Sequence, residues 1–201
     1  MSNYDYTREK NYSRIPKNLI RTYDPASCAV FKGTNQEYGE FSNMASGFPL
    51  RGAGRTFPSP EALYQCCRFP HLPQAQEKIC STKSAMQAKM FSKPYRAQTR
   101  DDWMEVRVSL MRWVIRVKLR QHPRTFGIPL IETREKPIVE ENSRDPFWGT
   151  RREASGLLVG CNVLGRLLME LRAELRGGEG LEDISATPPG IPHMLFFGES
   201  W

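Results

Sequence analysis

The sequence has few of the residues that hold metals or disulfide frameworks. Its 201 residues include 3 histidines and 5 cysteines, an odd number, and no two cysteines are spaced as Cys-x-x-Cys. Structural zinc sites combine four such ligands at short spacings, and disulfide frameworks use cysteines in even numbers. We therefore expect neither a metal site nor a disulfide scaffold, and we expect no cofactor.

Long apolar runs are absent as well. A helix needs about 20 consecutive apolar residues to cross a bilayer, and the runs in this sequence are far shorter. A secretory signal has a hydrophobic stretch after its charged residues, and the first residues of this chain, MSNYDYTREKNYSR, have none. We expect a soluble cytoplasmic protein with no membrane partner, or a nuclear one if the source is eukaryotic.

What the chain does have is an excess of basic residues. Lys and Arg number 29 and Asp and Glu 22, which gives a net charge of +7. This balance favours anionic ligands such as phosphates, nucleotides or nucleic acid, although many basic proteins bind no particular anion. The length fits one domain with extensions. We predict a flexible or loosely docked arm over residues 1–25, a folded domain over 26–176 and a Pro/Gly-rich tail over 177–201.

Helix signals are stronger than strand signals, so the predicted fold class is α+β and α-rich: a compact helical domain with a small β-sheet. Ser59-Pro60-Glu61 combines a capping serine, a proline suited to the first turn and an early carboxylate, which is typical of a helix start. Further helices are predicted over 84–91, 102–121 and 161–176. Short strands are predicted over 29–31, 55–57 and 138–140, and the RGAGRTF segment is predicted to be a hairpin turn.

Two of these helices have polar faces. The helix starting at Pro60 places four polar side chains at i, i+3, i+4 and i+7: Glu61, Tyr64, Gln65 and Arg68. Such a face is most often solvated. The 102–121 helix aligns Arg112, Arg116 and Arg120, which is either a solvated surface or a row of phosphate contacts.

A loop over residues 142–149 is the strongest candidate for catalytic groups outside the helices. It contains Asp145, Trp148 and Gly149, with a proline and a glycine that restrict the backbone. Loops displayed by a rigid scaffold often carry functional groups. In the earlier segment 38–43, Ser42 and Asn43 are short hydrogen-bonding residues. Ser42 has no nucleophile-elbow motif around it and no histidine placed to activate it, so we do not expect it to be a hydrolase nucleophile.

Five motifs follow one another along the chain: GEFSN at 39–43, FPSPE at 57–61 with Tyr64-Gln65, Asp102-Trp103, DPFWG at 145–149 and GCNVLG at 160–165. In this order and spacing the chain resembles the NADAR family, the YbiA-like N-glycosidases, from about Phe31 to Leu175. The resemblance implies a compact, mainly helical fold and hydrolysis of an N-glycosidic bond to a ribose. It implies as substrate either ADP-ribose on a guanine base or a ribosylamino-pyrimidine intermediate of riboflavin synthesis.

The resemblance also implies site residues. Glu61 and Asp145 would be the catalytic carboxyl groups, one stabilising charge at the sugar carbon and activating water while the other assists the leaving base. Trp103 and Trp148 would stack on the base or exclude solvent. Further substrate contacts are expected from Phe41, Ser42, Asn43, Tyr64, Gln65, Gly149 and Asn162.

Lys32 offers a second chemical route. A sugar attached to an exocyclic nitrogen can ring-open to an imine, which a lysine can intercept as a Schiff base. Lys32 lies at the end of the predicted 29–31 strand, just before the GEFSN segment, and is therefore a third catalytic candidate.

The sequence departs from the family pattern around these residues. The helix has Ala62, Cys67 and Arg68 where the family usually has His, Gln and Lys, and Met44 replaces the commoner Phe. The loop after Trp148 is bulkier and more basic. The proposed acids are intact, so these changes affect the expected substrate rather than the expected chemistry.

The net charge and two arginines beside the DPFWG loop, Arg151 and Arg152, favour a pyrophosphate substrate such as an ADP-ribosylated nucleobase, with nucleic acid as a candidate partner. Two other classes stay open: a non-catalytic ADP-ribose-binding module, and a partner-binding protein that uses the C-terminal aromatics Phe196, Phe197 and Trp201. The sequence does not indicate an oligomeric state.

Overall fold

The computed structural model describes residues 15–177 and 184–201. Within these ranges it confirms an α+β fold in which helices predominate. The α-helices are α1 Pro60–Cys66, α2 Pro73–Cys80, α3 Ala85–Ser92, α4 Trp103–Gln121, α5 Ile128–Glu132 and α6 Val163–Arg176. The strands are β1 Arg21–Tyr23, β2 Ala29–Phe31, β3 Leu50–Gly52, β4 Arg55–Phe57, β5 Ile138–Glu140, β6 Arg151–Arg152, β7 Leu158–Gly160, β8 Leu195–Phe196 and β9 Glu199–Ser200.

The chain divides into two compact units. Unit 1 contains residues 43–121 and 185–201, with helices α1 to α4 and the hairpins β3–β4 and β8–β9. Unit 2 contains the described residues up to 42 and those from 122 to 184, with the remaining helices and strands. No helix of the described residues has both the length and the apolar character needed to span a membrane.

Helix α1, in unit 1, begins as the sequence predicts. The Ser59 hydroxyl accepts a hydrogen bond from the Ala62 N–H at 3.1 Å, and Pro60 occupies the first helical position, where no N–H is needed. The predicted polar face is buried rather than solvated: Glu61, Tyr64 and Gln65 on α1, and Arg68 just after its last residue, are each 3–7% exposed. Helices α2, α3 and α4 pack against α1. Periodicity identifies a face, but neighbouring helices decide whether water reaches it.

The predicted helix over 102–121 and the predicted hairpin turn are also confirmed. Helix α4 runs from Trp103 to Gln121 and buries its apolar stripe. Strands β3 and β4 pair antiparallel, and their turn residues Ala53 and Gly54 have φ values of 48° and 63°. Positive φ at both central residues is the conformation that matches the twist of a two-residue hairpin.

The C-terminal residues 185–201 pack within unit 1. The buried amide of Gln76 donates to the Leu195 carbonyl at 2.9 Å and accepts from the Phe197 N–H at 2.6 Å. The Trp201 ring lies 4.7 Å from the Trp113 ring. A Cβ on Gly52 would lie 2.2 Å from Trp201, so a side chain at position 52 would displace the indole. Residues 178–183 of the predicted tail lie outside the described residues.

Unit 2 is built around a parallel pair, β2 and β5, and an antiparallel sheet ordered β1-β7-β6. Strands β2 and β5 have the predicted bounds. Helix α6 begins at Val163, two residues later than predicted, and buries five leucines: Leu164, Leu167, Leu168, Leu171 and Leu175. Of the predicted N-terminal arm, residues 1–14 lie outside the described part, and Arg21–Tyr23 pairs with β7 as strand β1.

Candidate active site

In unit 1, Glu61 is held in a buried polar group. Its carboxylate accepts a hydrogen bond from the Gln65 side-chain amide at 2.8 Å, one turn later on α1. Its backbone N–H donates to the Asn43 carbonyl at 3.2 Å, and Asn43 Nδ2 lies 2.8 Å from Met111 Sδ. Asn43, Glu61 and Gln65 are 4%, 7% and 3% exposed. The structure therefore brings together three of the predicted site residues.

Two oxygens in this group accept no hydrogen bond from the described residues: Asn43 Oδ1 and Gln65 Oε1. Leaving a buried acceptor unsatisfied costs about 1–3 kcal/mol, and such groups in native proteins call for a specific explanation. A ligand that brings hydroxyl or amino donors could satisfy both oxygens.

Tyr64 and Trp103 form the aromatic part of the same unit. Their rings lie 5.1 Å apart, and the Arg68 guanidinium lies 4.5 Å from the centre of the Trp103 ring. Trp103 is 1% exposed. Of the two roles predicted for Trp103, this burial fits the exclusion of solvent better than stacking on a base.

Next to Trp103, Asp102 forms a tight ion pair with Arg100, whose Nε lies 2.5 Å from Asp102 Oδ1. These hydrogen bonds hold the pKa of the Asp102 carboxyl below its ordinary value. The Asp102 carboxylate is therefore held in an ion pair with Arg100, and we regard Glu61 as a better candidate than Asp102 for the catalytic carboxyl group of unit 1.

In unit 2, Lys32 belongs to a charged cluster with Glu141 and Arg152. Lys32 Nζ lies 2.9 Å from Glu141 Oε1, and Arg152 lies 2.5 Å from Oε2. The Arg152 hydrogen bond, supported by Lys32, holds the pKa of Glu141 below its ordinary value, against the opposing effect of burial. The Lys32 side chain is 64% exposed and that of Glu141 9%. A lysine in such a pair must lose both its partner and a proton before it attacks a carbonyl.

The DPFWG loop of unit 2 is organised by Asp145. Asp145 Oδ1 accepts from the Trp148 N–H at 3.2 Å, and the Asp145 carbonyl accepts from the Gly149 N–H at 2.9 Å. The Phe147 and Trp148 rings meet edge to face at 5.2 Å. Asp145 and Trp148 are half-buried. The structure thus gives Asp145 a role in shaping the loop, and its predicted catalytic role stays a prediction.

Three other predicted contacts have structural roles in unit 2. Asn162 is fully buried, and its side chain accepts from the Glu140 N–H at 3.0 Å and donates to the Ile138 carbonyl at 2.8 Å, which ties α6 to β5. Gly149 lies so near β5 that a Cβ would be 2.8 Å from the Glu140 carbonyl oxygen. Phe41 is fully buried against three aromatic rings: Phe31, Tyr38 and Phe126.

The remaining predicted residue, Ser42, is half-buried at the end of unit 2. The predicted site residues are divided between the two units. Unit 1 contains Asn43, Glu61, Tyr64, Gln65 and Trp103. Unit 2 contains Lys32, Phe41, Ser42, Asp145, Trp148, Gly149 and Asn162.

Glu141 is the functional candidate that the sequence did not reveal. Strands β2 and β5 pair in parallel with Phe31 opposite Glu140, so the next residues, Lys32 and Glu141, come side by side. Their separation of 109 positions hides this in the sequence. The sequence signal for Glu141 is an acidic residue directly after an apolar strand. Because parallel strands end at the same edge of a sheet, such a residue lies beside the residue that follows the neighbouring strand.

Comparison with known proteins identifies a family to which this chain is similar. The NADAR domain model matches residues 30–176. The chain belongs to the NADAR family. That match contains all of the predicted site residues and excludes the C-terminal hairpin.

Two relatives in this NADAR comparison are informative. The N-glycosidase YbiA of Escherichia coli is 33% identical over 72% of this chain and 86% of its own length. The NMR structure of E. coli YbiA matches with a TM-score of 0.62 at 31% identity, covering 74% of this chain and 85% of that one. A riboflavin biosynthesis protein of Vibrio vulnificus is 34% identical over 66% of this chain, which spans 35% of that longer protein.

Proposed function

We propose that this NADAR protein is an N-glycosidase that hydrolyses the bond between a ribose carbon and an amine nitrogen of a base. The observation that carries the proposal is the buried Glu61 carboxylate, which accepts a hydrogen bond from Gln65 and belongs to the same buried polar group as the unsatisfied oxygens of Asn43 and Gln65. The similarity to E. coli YbiA, which is named an N-glycosidase, supports the same class of reaction.

Glu61 supplies what this reaction requires. As the carbon–nitrogen bond breaks, positive charge develops on the sugar carbon and the departing nitrogen gains an electron pair. The Glu61 carboxylate stabilises that charge and takes a proton from the attacking water, whose oxygen bonds to the carbon. Glu61 then passes this proton to the departing nitrogen, so the carboxylate is regenerated. The Gln65 amide holds the carboxylate in one orientation, and Asn43 Oδ1 and Gln65 Oε1 accept hydrogen bonds from ribose hydroxyls.

The preferred substrate is an ADP-ribosylated guanine. Its pyrophosphate suits the net charge of +7. Arg151 and Arg152 are 60% and 43% exposed and pair with Glu153 and Glu141, so an anion would have to compete with those carboxylates. If the substrate is ADP-ribosylated DNA held by its backbone, activity falls steeply from low to physiological salt; salt-insensitive activity would contradict a backbone contact.

A ribosylamino-pyrimidine phosphate is the second candidate substrate. It is favoured by the relatives named as riboflavin biosynthesis proteins, among them the chloroplastic protein PYRR of Zea mays, 32% identical over 70% of this chain and 24% of its own length. The same Glu61 chemistry serves both substrates, because each has its ribose on an exocyclic nitrogen.

A direct assay separates the two substrates and tests the proposal. The purified protein is incubated with ADP-ribosylated guanine and with a ribosylamino-pyrimidine phosphate, and the released base is identified by chromatography. Release from either substrate that depends on Glu61 supports an N-glycosidase. Release from neither, with ADP-ribose bound unchanged, would favour a non-catalytic binding module.

The Schiff-base route through Lys32 is tested by trapping. We favour direct hydrolysis because Lys32 is held in an ion pair and Glu141, with its lowered pKa, is a weak base. Borohydride reduces an imine between Lys32 and the ring-opened sugar to a stable amine. Borohydride added during turnover should leave no adduct on Lys32 by mass spectrometry; an adduct that is missing from Lys32→Arg would establish the covalent route.

A further inference from the structure

Two thiols in unit 1 are close enough to react with each other. Cys66, the last residue of α1, and Cys80, the last residue of α2, have their sulfurs 3.7 Å apart. A disulfide needs about 2.0 Å between the sulfurs, so they must approach by about 1.7 Å. Both cysteines are free thiols in the structure.

Gln76 fixes the backbone around this pair. Its side-chain amide donates to the Cys66 carbonyl at 3.1 Å, and the Cys66 thiol lies 3.8 Å from the Gln76 carbonyl oxygen. Because Gln76 and Cys80 lie one turn apart on α2, these bonds keep the ends of the two helices in one register. These contacts favour the arrangement in which the two sulfurs are adjacent.

The two thiols differ in exposure, which sets the order of reaction. Cys80 is partly exposed and Cys66 is fully buried. An oxidant from solution reaches Cys80 first, and Cys66 is then the thiol in place to attack it. Cys67, next in the chain, is also a buried free thiol, and burial raises its pKa.

We propose that Cys66 and Cys80 form a reversible disulfide when the protein meets a low-molecular-weight disulfide such as oxidised glutathione. The Cys80 thiolate attacks one sulfur of that disulfide and releases one thiol. The Cys66 sulfur then attacks Cys80 and releases the second thiol, so the two cysteines lose two electrons and two protons and the small disulfide gains them. Burial raises the pKa of Cys66, which lowers its thiolate fraction and slows the second step.

The crosslink joins the helix that carries Glu61 to its neighbour. It closes a loop of about 15 residues, which restricts the unfolded chain. We therefore expect the oxidised protein to melt roughly 5–10 °C above the reduced one. The proposal does not depend on the N-glycosidase activity, and its test needs no substrate.

The test treats the folded, reduced protein with oxidised glutathione and maps the cysteines by mass spectrometry. The expected result is a peptide pair joined through Cys66 and Cys80, reversed by dithiothreitol. The matched variants are Cys80→Ser, expected to give no crosslink, and Cys28→Ser, expected to crosslink like the wild type. Cys28 is a suitable control because it is also partly exposed but contacts the Ser27 hydroxyl instead of a thiol.

Two outcomes would overturn the proposal. One is Cys80 carrying glutathione or remaining reduced, with no joined peptide, in wild-type protein that stays folded. The other is a crosslink that pairs Cys80 with a cysteine other than Cys66. Mapping on the wild type gives this answer even if a serine variant folds poorly.

Discussion

Two groups of polar residues, one around Glu61 in unit 1 and one around Glu141 in unit 2, lie in contrasting environments. In unit 1, Glu61, Gln65 and Gln76 are at most 7% exposed and are held by neutral amides. In unit 2, Lys32 and Arg152 are largely exposed and share the Glu141 carboxylate. A buried polar group has no water to replace a lost partner, whereas exposed ions exchange partners with water and salt. Substitutions in the buried groups should therefore cost far more than those in the charged cluster.

The largest effect is expected from Glu61→Gln. The amide keeps the volume of the side chain but cannot take a proton from water, so kcat should fall about a thousandfold. The measurement is base release under saturating substrate, with Glu77→Gln, an exposed glutamate on α2, as the control. Turnover in Glu61→Gln equal to that of the control would remove Glu61 from the mechanism.

Gln76→Leu tests the buried side of the comparison through stability. The change removes the partners of the Cys66 and Leu195 carbonyls and of the Phe197 N–H. We expect the free energy of unfolding to fall by about 3 kcal/mol, measured by urea denaturation. Gln74→Leu, at an exposed position of the same helix, should change it by less than about 0.5 kcal/mol. Equal losses in both variants would mean that the C-terminal hairpin does not depend on Gln76.

Gln65→Met tests whether the buried Gln65 amide orients the Glu61 carboxylate. Methionine preserves the length of the side chain but removes the donor to Glu61 and the oxygen proposed to accept a ribose hydroxyl. One hydrogen bond to a charged group and one to substrate predict a drop in kcat/KM of about tenfold to a hundredfold. Steady-state kinetics on Gln65→Met and Gln74→Met would measure this drop, and wild-type values for Gln65→Met would show that Glu61 needs no such support.

The smallest effect is expected from Glu141→Gln in the charged cluster. Its exposed partners limit the loss of stability to about 1 kcal/mol at neutral pH. Because the folded-state pKa of Glu141 is lowered, this contribution is present above the unfolded-state pKa and disappears as pH falls through the folded value. Urea denaturation should show the wild type and variant converging in acid and in high salt. A difference that persists at low pH would contradict an ionic contribution.

Local signals in the sequence predicted many elements. The Ser59 cap with Pro60 located the start of α1, the positive-φ turn at Gly54 fitted the hairpin, and strands β2, β4 and β5 have their predicted bounds. Helix α2, which begins at Pro73, was not predicted, because its apolar positions are few. Strand β7 was missed because its three residues depend on pairing with β1 and β6.

The candidate site divides in the same way. The sequence predicted Glu61, Gln65 and Asn43 as site residues. It did not show that Gln65 donates a hydrogen bond to Glu61, or that Asn43 contacts Met111, 68 positions away. It predicted substrate contacts for Asn162 and Phe41, and these stay predictions; the structure adds that both side chains are fully buried in packing or hydrogen-bond contacts. A sequence motif shows only which residue type occupies a position. It does not distinguish a residue that contacts a ligand from one that packs inside the protein.

By itself, the sequence determined the membership of the NADAR family and the helix-rich class, and it predicted Glu61 as the candidate acid on α1, because these depend on residue order, caps and periodicity. The tertiary structure alone decided that the α1 polar face is buried, that Lys32 meets Glu141, and that the thiols of Cys66 and Cys80 are neighbours. Each of these depends on segments distant in sequence packing together, and burial and pairing across such distances are set by the fold rather than by any local pattern.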